Sequence, residues 1–586
     1  MKKSSISRRD FMRGLGAGAL SVAIAPSWVV ERYPMPIYAK SAMRGEEAVT
    51  NLPPLFDCNK YIGLGFPQRP DFARAADLLV HMNRLGIDRA VAWHTSARDL
   101  HPMAGNEQLL REIETACAHD RIIPSFIIAP SMLDDPGVMD HFLDLVRTNH
   151  IRAFHFFPNK FGWSLQDIGP VIKEILPFKP VLFLDSFENL SKDDSILNFS
   201  EQFPYVSIIF TNAMWPHYKR LYELMEARPN IFVDTSLIHT YLTIEYVIKK
   251  FGVERLIFGA GYKSNNGASI ASLANSEISP EHSQLIAHSN LERLMGIKSP
   301  LSGSRPVVGD RLWHRLLRKE HLGPEIIDAH THHSHGGMNW DDHDRLDFDG
   351  YVSHALRSMD SMGVRTMIVA EYELYPPDLD GGMTYLEKHL SPYGDRFRGY
   401  FCGLAFKSEY AGKMIPRLDE YFSRPYYVGF KMHNDHWNIP VTDPCFIPMW
   451  EYADAHRLPI LLHTWESNYD APKMLKDIAP RYPNAIFILG HSSSGDRPDA
   501  EKLAQENPNV YLEWCGSFVN PTDWCETLER LGNRRLVYGS DGVTWENQWG
   551  HSPAWEMGRL LSLDVPDETL LPILGDNMRS ILSRRR

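Results

Sequence analysis

The sequence predicts an α/β protein made of two tandem (β/α)8 barrels of the TIM type. Three observations predict it. Short apolar runs, each ending in a polar residue, recur at strand-plus-helix spacing through residues 325–583, as expected for parallel strands buried on both faces. Amphipathic stretches such as 351–362 and 499–506 separate these runs and read as helices. The whole pattern also occurs once more upstream, over residues 51–297, at an offset of about 270–290 residues; that is too long for a solenoid repeat and right for a duplicated barrel.

The strands can be taken in order. In the second copy they end near His332, Glu371, Ala405, Lys431, His463, His491, Glu513 and Asp541. In the first copy they end near Asn59, Trp93, Ala129, His155, Asp185, Asn212, Asp234 and Gly261. Strand–helix alternation implies a parallel sheet, and eight repeats imply closure. A helix closes each copy, one containing Asn290-Leu291-Glu292-Arg293-Leu294 and the other Asn577 to Leu582. The boundary falls at residues 298–310, where Pro300, Gly303, Pro306 and Gly309 crowd together with Ser. A helix is expected at 311–322, so residues 298–324 form a linker and lead-in helix. Thirteen linker residues reach at most ~45 Å, which keeps the two copies close.

The stretch Ile326-Ile327-Asp328-Ala329-His330-Thr331-His332-His333 carries the chemistry. Period-two alternation puts His330 and His332 on one side of a strand, where two imidazoles can bind one metal ion. His463, His491 and Asp541 stand at the ends of later apolar runs, on the barrel face that carries active sites. Together they form an N/O ligand set suited to zinc, manganese or iron.

This order of motifs resembles the amidohydrolase superfamily: His-x-His on strand 1, His on strand 5, His on strand 6 and Asp on strand 8. The Gly490-His491 pair and Gly539-Ser540-Asp541-Gly542 are similar to the amidohydrolase-related branch, which includes aminocarboxymuconate-semialdehyde decarboxylase, resorcylate decarboxylases and some lactonases. The resemblance covers about residues 325–583. It implies one divalent ion, Zn2+ first and Mn2+ or Fe2+ next, held by His330, His332, His463 and Asp541. It implies Asp541 as the base for metal-activated water. His491 is then either a ligand or a hydrogen-bond partner of the water or substrate oxygen. Lys431 either bridges two metals as a carboxylated lysine or meets a substrate carboxylate. Two reactions share these residues: hydrolysis of an amide, ester or lactone, and non-oxidative decarboxylation of an aromatic or enoic acid. A third class, a non-enzymatic binding protein, fits poorly with so complete a ligand set.

Further residues surround this set. Trp340, Tyr372, Trp437, Trp465, Trp514, Trp545 and Trp549 follow the strand ends, and such a rim suits a planar or bulky apolar small molecule. Loop packing or a subunit interface is the competing reading. His433 and His333 are candidate substrate contacts, and Glu466 and Glu513 candidate polar contacts. His335 and His436 read as loop residues.

The first copy lacks this set. Asn59 and Tyr61 stand for His330 and His332, Leu184 or Asp185 for His463, Asn212 for His491 and Gly261 for Asp541. Asn, Tyr and Gly are poor zinc ligands or none. The first barrel therefore reads as a pseudo-catalytic partner that packs on the second in place of a homodimer. The alternative is a different, metal-free site using His94, His155, Asp185 or Asn212.

Residues 1–41 do not read as fold. Ser7-Arg8-Arg9-Asp10-Phe11-Met12 precedes a short Ala/Gly-rich apolar stretch and resembles a twin-arginine signal, implying a periplasmic or exported protein with no integral membrane segment once the signal is removed. Cleavage at Ala39-Lys40-Ser41 competes with Ala23-Ile24-Ala25. These residues hold seven Lys/Arg against two Asp/Glu, so their removal takes the formal charge from −12 to −17. Such a surface disfavours nucleic acid and anionic membranes as partners. The six Cys form no Cys-x-x-Cys pair and read as free thiols.

Overall fold

A computed structural model describes residues 52–585 except 65–70, 190–194, 214–216, 241, 263–264, 300, 302–310, 334–347, 372–378, 466, 516–520 and 544–551. The leader, most of the linker, Trp340, Tyr372, Glu466, Trp545, Trp549 and His335 lie outside the described residues. The protein is two tandem (β/α)8 barrels.

The first sheet runs in sequence order: β1 (Leu55–Ile62), β2 (Ile87–His94), β3 (Ile122–Ile127), β4 (Ala153–His155), β5 (Val181–Asp185), β6 (Ser207–Thr211), β7 (Ile231–Asp234) and β8 (Leu256–Ile257). All its pairings are parallel. The Cys58 N–H donates to the Phe258 carbonyl at 3.0 Å, joining β1 to the end of β8. The second sheet comprises β9 (Ile326–His333), β10 (Val364–Glu371), β11 (Phe397–Cys402), β12 (Tyr427–Met432), β13 (Pro459–His463), β14 (Ile486–Gly490), β15 (Val510–Trp514), β16 (Leu536–Tyr538) and β17 (Gly542–Val543). Its eighth strand is split. β16 pairs with β15, and β17 pairs with β9 after an interruption at Gly539–Asp541.

Alternate strand residues fill each barrel. Ile327, Ala329, Ile368, Tyr400, Val428, Leu461, Ile488 and Val537 form one interior cluster, sealed below by Met578 and Ile581 of the closing helix. Phe56, Val91, Ala153, Phe183, Ile209 and Phe232 form the other, sealed by Leu291 and Met295. In both barrels the closing helix is preceded by one π-helical turn, Leu285–Ser289 and Pro572–Asp576.

Some boundaries differ from the sequence reading. β11 stops at Cys402 because residues Gly403–Phe406 tighten into a 3-10 turn. The lead-in helix spans Arg311–Leu317, not 311–322, because the chain turns at Lys319 with φ 54°. The six cysteines are free. Among the described residues no helix is long and apolar enough to cross a membrane.

The barrels meet through corresponding helices. Helix α1 (Asn266–Asn275) follows β8, and helix α3 (Pro553–Leu561) follows β17. They cross where neither has a side chain: a Cβ on Gly558 would lie 2.5 Å from Ala271 Cβ and 2.6 Å from the Gly267 carbonyl oxygen. Helix α2 (Arg311–Leu317) packs against both, with Trp313 buried. Asn275 donates to the Leu316 carbonyl at 3.2 Å, and the Leu312 N–H donates to Asp567 at 3.1 Å. The Ser552 N–H donates to the His239 carbonyl at 2.8 Å, and Trp555 packs on Leu237 and Ala268.

Gly558→Leu must force α1 and α3 apart. It should cost about 1–3 kcal/mol, read as a lower thermal midpoint and faster proteolysis between the barrels. Gly412→Ala, on a helix where an added Cβ meets nothing within 4 Å, should not destabilise.

Candidate metal centre

Strand β9 carries His330 and His332, but not by simple alternation. Its register against β10 shifts between Asp328 and Thr331, and β1 shifts at the same place, between Asp57 and Lys60. Such irregularities re-aim side chains next to active sites. His330 Nε2 and His332 Nε2 lie 3.0 Å apart. Asp541 Oδ1 is 3.4 Å from the first and 3.2 Å from the second. Two ligand atoms bound tetrahedrally at ~2.0–2.1 Å are about 3.3 Å from each other. These three donors therefore fit one small divalent ion.

Protonation agrees with that fit. Burial lowers the pKa of His330, His332 and His491, the last to about 3, so the imidazoles are neutral, the form that binds metal. Burial opposes the charge on Asp541, but the polar His330 ring beside it, the hydrogen bond from His332 and the nearby His491 offset this and hold the carboxyl well below its usual range. Lys431 reaches in from the end of β12, with Nζ 2.7 Å from His330 Nε2. Burial pulls its ammonium down to about 8.

A second set of contacts orients these groups. The Asp328 carboxylate accepts the His330 N–H (3.2 Å), the Ser540 N–H (3.0 Å) and the Ser540 hydroxyl (2.6 Å), tying β9 to the residue before Asp541. Glu513 Oε2 accepts the His491 N–H (2.9 Å) and the Cys515 thiol (2.9 Å), and it lies 3.4 Å from His330 Nδ1. With Nδ1 facing this carboxylate, the lone pair of His330 is left on Nε2. Burial raises Asp328 to about 7 and Glu513 to about 8. Cys515 Sγ is 3.3 Å from His491 Nδ1. His491 and Asp541 both have positive φ, 57° and 50°, a conformation that is strained for side chains of this kind.

His463 lies beside the triad, within reach of the Asp541 charge, but is not among its three closest ligand atoms. Its ring is 4.9 Å from that of His491, its Nδ1 is 2.9 Å from Asp470 Oδ2, and it groups with His433 and Asp435. Trp465 stacks on His463 at 6.0 Å and lies 5.6 Å from His491, lining the mouth. Two other tryptophans expected at the rim are packing residues: Trp514 is fully buried against Trp524, and Trp437 packs beside Phe446. Trp514 follows the inward-facing Glu513 on β15, so the pleat turns it outward to the helices. Asp435, Asp470 and Cys515 were not singled out as site residues by sequence reasoning; two lie in loops without periodicity, and Cys515 looked like one of six scattered thiols.

In the first barrel the same positions form a hydrogen-bonded network. β5 and β13 pair in register with β6 and β14, which matches Asp185, not Leu184, to His463. Asn59 donates to Asn212 (2.9 Å) and Asp234 (3.1 Å), Ser236 donates to Asp234 (2.7 Å), and Asn212 donates to Asp185 (2.6 Å). Nearby, Trp93, Ile127 and Phe157 form an apolar cluster, with Tyr61 packed on it. Among the described residues, every cluster of ligand-type side chains lies in the second barrel.

Comparison with known proteins gives one family match and a set of similar solved structures. Residues 383–583 match the family model for amidohydrolases, a span that includes Lys431, His463, His491 and Asp541 but begins after His332. The match spans most of the second barrel, from the helix before β11 to the closing helix. Similar solved structures include a 2,6-dihydroxybenzoate decarboxylase complexed with 2,6-dihydroxybenzoate (14% identity, TM-score 0.34, 44% of this chain and 99% of that one). A 5-carboxyvanillate decarboxylase from Sphingomonas paucimobilis is another (13%, 0.32, 44% and 99%). A probable 2-pyrone-4,6-dicarboxylic acid hydrolase from Acinetobacter baumannii with citric acid bound is a third (14%, 0.34, 44% and 99%). None of the curated proteins compared with the chain matches it.

His330→Ala should weaken divalent-metal binding at this triad by more than about 100-fold, measured by competition with a chromophoric chelator. Asn59→Ala, its counterpart in the first barrel, should leave metal affinity unchanged.

Proposed function

We propose that the second barrel is a metal-dependent hydrolase acting on a C–N or C–O bond of a small substrate: an amide, an ester or a lactone. The observation that carries this reading is the convergence of His330 Nε2, His332 Nε2 and Asp541 Oδ1 within 3.0–3.4 Å of one another. These residues would hold one divalent ion, Zn2+ first and Mn2+ or Fe2+ next. When bound, the ion supplies Lewis acidity towards a substrate oxygen and towards water. Asp541, ionised and 14% exposed, takes the proton from the attacking water and returns it to the leaving group. His491, neutral and with Nδ1 against Cys515, offers Nε2 to the water or the substrate oxygen. Trp465 supplies a flat wall for a planar substrate.

Lys431 favours a second reading. Its amine, buried beside His330, would pair with a substrate carboxylate, which also suits non-oxidative decarboxylation of an aromatic or enoic acid. In either reaction the first barrel is a non-catalytic partner, and the substrate is a small molecule, not a nucleic acid.

A panel of amides, esters, lactones and aryl carboxylic acids, assayed for hydrolysis and for carbon dioxide release, separates the readings. Hydrolysis without carbon dioxide is expected, with Asp541→Asn slower by at least ~100-fold. Carbon dioxide release alone would replace the first reading by the second, and normal turnover by the Asp541 variant would remove both mechanisms.

We also propose export through residues 1–41 by the twin-arginine route, to the periplasm or beyond. Cell fractionation with mass spectrometry of the N terminus should find a chain cut near Ala25 or near Ser41. An intact cytoplasmic chain would overturn this.

A further inference from the structure

The joint between the barrels holds a cavity of about 280 Å³, just below the usual size of small-molecule sites, about 300–1,000 Å³. Its walls come from both copies. Thr243 and Glu245 lie on the helix Thr243–Phe251 after β7, and Ser272 lies on α1. Ser358 and Ser361 lie on the second barrel's helix Phe348–Met362, and Ser552 caps α3. None of the His330, His332 or Asp541 side chains lines it.

Hydroxyls dominate the polar part of the wall: Thr243, Ser272, Ser276, Ser358, Ser361 and Ser552. The buried Oγ of Ser272 has no hydrogen-bond partner among the described residues, which is unfavourable until something pairs with it. The charged side chains offset one another. The Glu277 carboxylate stands 3.6 Å from Arg357 across the joint. Glu245 Oε1 accepts the Glu277 N–H at 2.6 Å, and Lys319 Nζ donates to the Ser276 carbonyl at 2.6 Å. Burial lowers the pKa of the Lys319 ammonium, and the charges of Glu245 and Glu277 oppose that. Two acids therefore face two bases, and a ligand with a net charge would be attracted by one pair and repelled by the other. Ile238, Leu242, Ile244 and Ala554 supply an apolar face.

We propose that this cavity binds a small uncharged polyhydroxylated molecule, a polyol or monosaccharide, held by both barrels at once. Each hydroxyl of such a molecule donates and accepts, which suits a wall of carboxylates and rotatable hydroxyls. Ser272 Oγ gains the partner it lacks. The C–H side of the ligand packs on Ile238, Leu242 and Ile244. The site is separate from the triad and independent of the reaction performed there.

Binding must be read directly, because polyols stabilise folded proteins in general without filling a site. The full chain is titrated with xylitol and with D-glucose and followed by saturation-transfer difference NMR. D-Glucuronate and D-glucosamine serve as the anionic and cationic counterparts. Wild type should bind xylitol or D-glucose saturably, and both charged sugars at least ~10-fold more weakly than the tighter of the two neutral ones. Ser358→Leu puts a bulky side chain into the cavity from a helical position where leucine is a good helix former; it should weaken binding at least ~10-fold. Ser272→Ala, which removes one hydroxyl and disturbs nothing else, should weaken it about 2–10-fold. His330→Ala should bind as wild type does. Absence of saturable binding by either neutral molecule overturns the proposal, and that measurement needs no variant to fold. Unchanged binding in both Ser358→Leu and Ser272→Ala, or loss of binding in His330→Ala, places the ligand elsewhere and overturns it too. A charged sugar binding as tightly as the neutral ones overturns the ligand class.

Discussion

A buried aspartate clamps the first strand of each barrel to the eighth. Asp328 does so in the second barrel through three hydrogen bonds, one within β9 and two to Ser540. Asp57 does so in the first, accepting the Asn59 N–H at 2.9 Å and the Ala260 N–H at 3.1 Å. An unpaired carboxylate here, without solvent, would be costly. In the second barrel burial raises the acid's pKa to about 7; in the first, Lys60 pairs with Asp57 at 2.6 Å. The clamp closes the ring of strands, holds the strand irregularity that turns the following residues into the mouth, and brings the residue after Ser540 towards His330 and His332. Ligand geometry and barrel closure thus rest on the same carboxylate. The clamp is present in both copies although the ligands are present in one.

Backbone geometry records the difference between the copies. The position after β6 is left-handed in both, with φ 56° at Asn212 and 57° at His491. The position after β8 is left-handed at Gly261, and its counterpart after β16 is left-handed at Asp541, with φ 60° and 50°. Asn tolerates this conformation and Gly adopts it freely, whereas His and Asp with functional side chains there hold strain. The scaffold imposes the conformation in both barrels. In the second, residue types are kept at these positions that the backbone alone would not select, which is the mark of a site.

Much of this was legible in the sequence because buried parallel strands read as unbroken apolar runs and end abruptly where chemistry begins. His330, His332, His463, His491 and Asp541 could be found at such ends, as could the duplication. Side chains from loops could not be found this way. Asp435 and Asp470 reach the mouth through a helical turn and a tight loop, neither with a period to read. Pleat direction also escaped the reading: Glu513 and Trp514 are neighbours, yet one faces the ligands and the other the helices. Which nitrogen of His463 meets Asp470 is a matter of side-chain rotation that residue spacing does not encode.

The bare crossing of α1 and α3 ties the site to the other barrel. Only ten residues separate Asp541 from Ser552, and Ser552 is held by the first barrel's His239 carbonyl. Immediately beyond, α3 is locked against α1 at Gly267 and Gly558, while its Arg559, paired with Glu556, lies 5.9 Å over the Trp514 ring next to Glu513. The segment leaving the ligand strand is therefore anchored in a body that carries no ligands. Asp541 and Ser552, with ten residues between them, thus stand on two supports, one the ligand cluster and the other the neighbouring barrel.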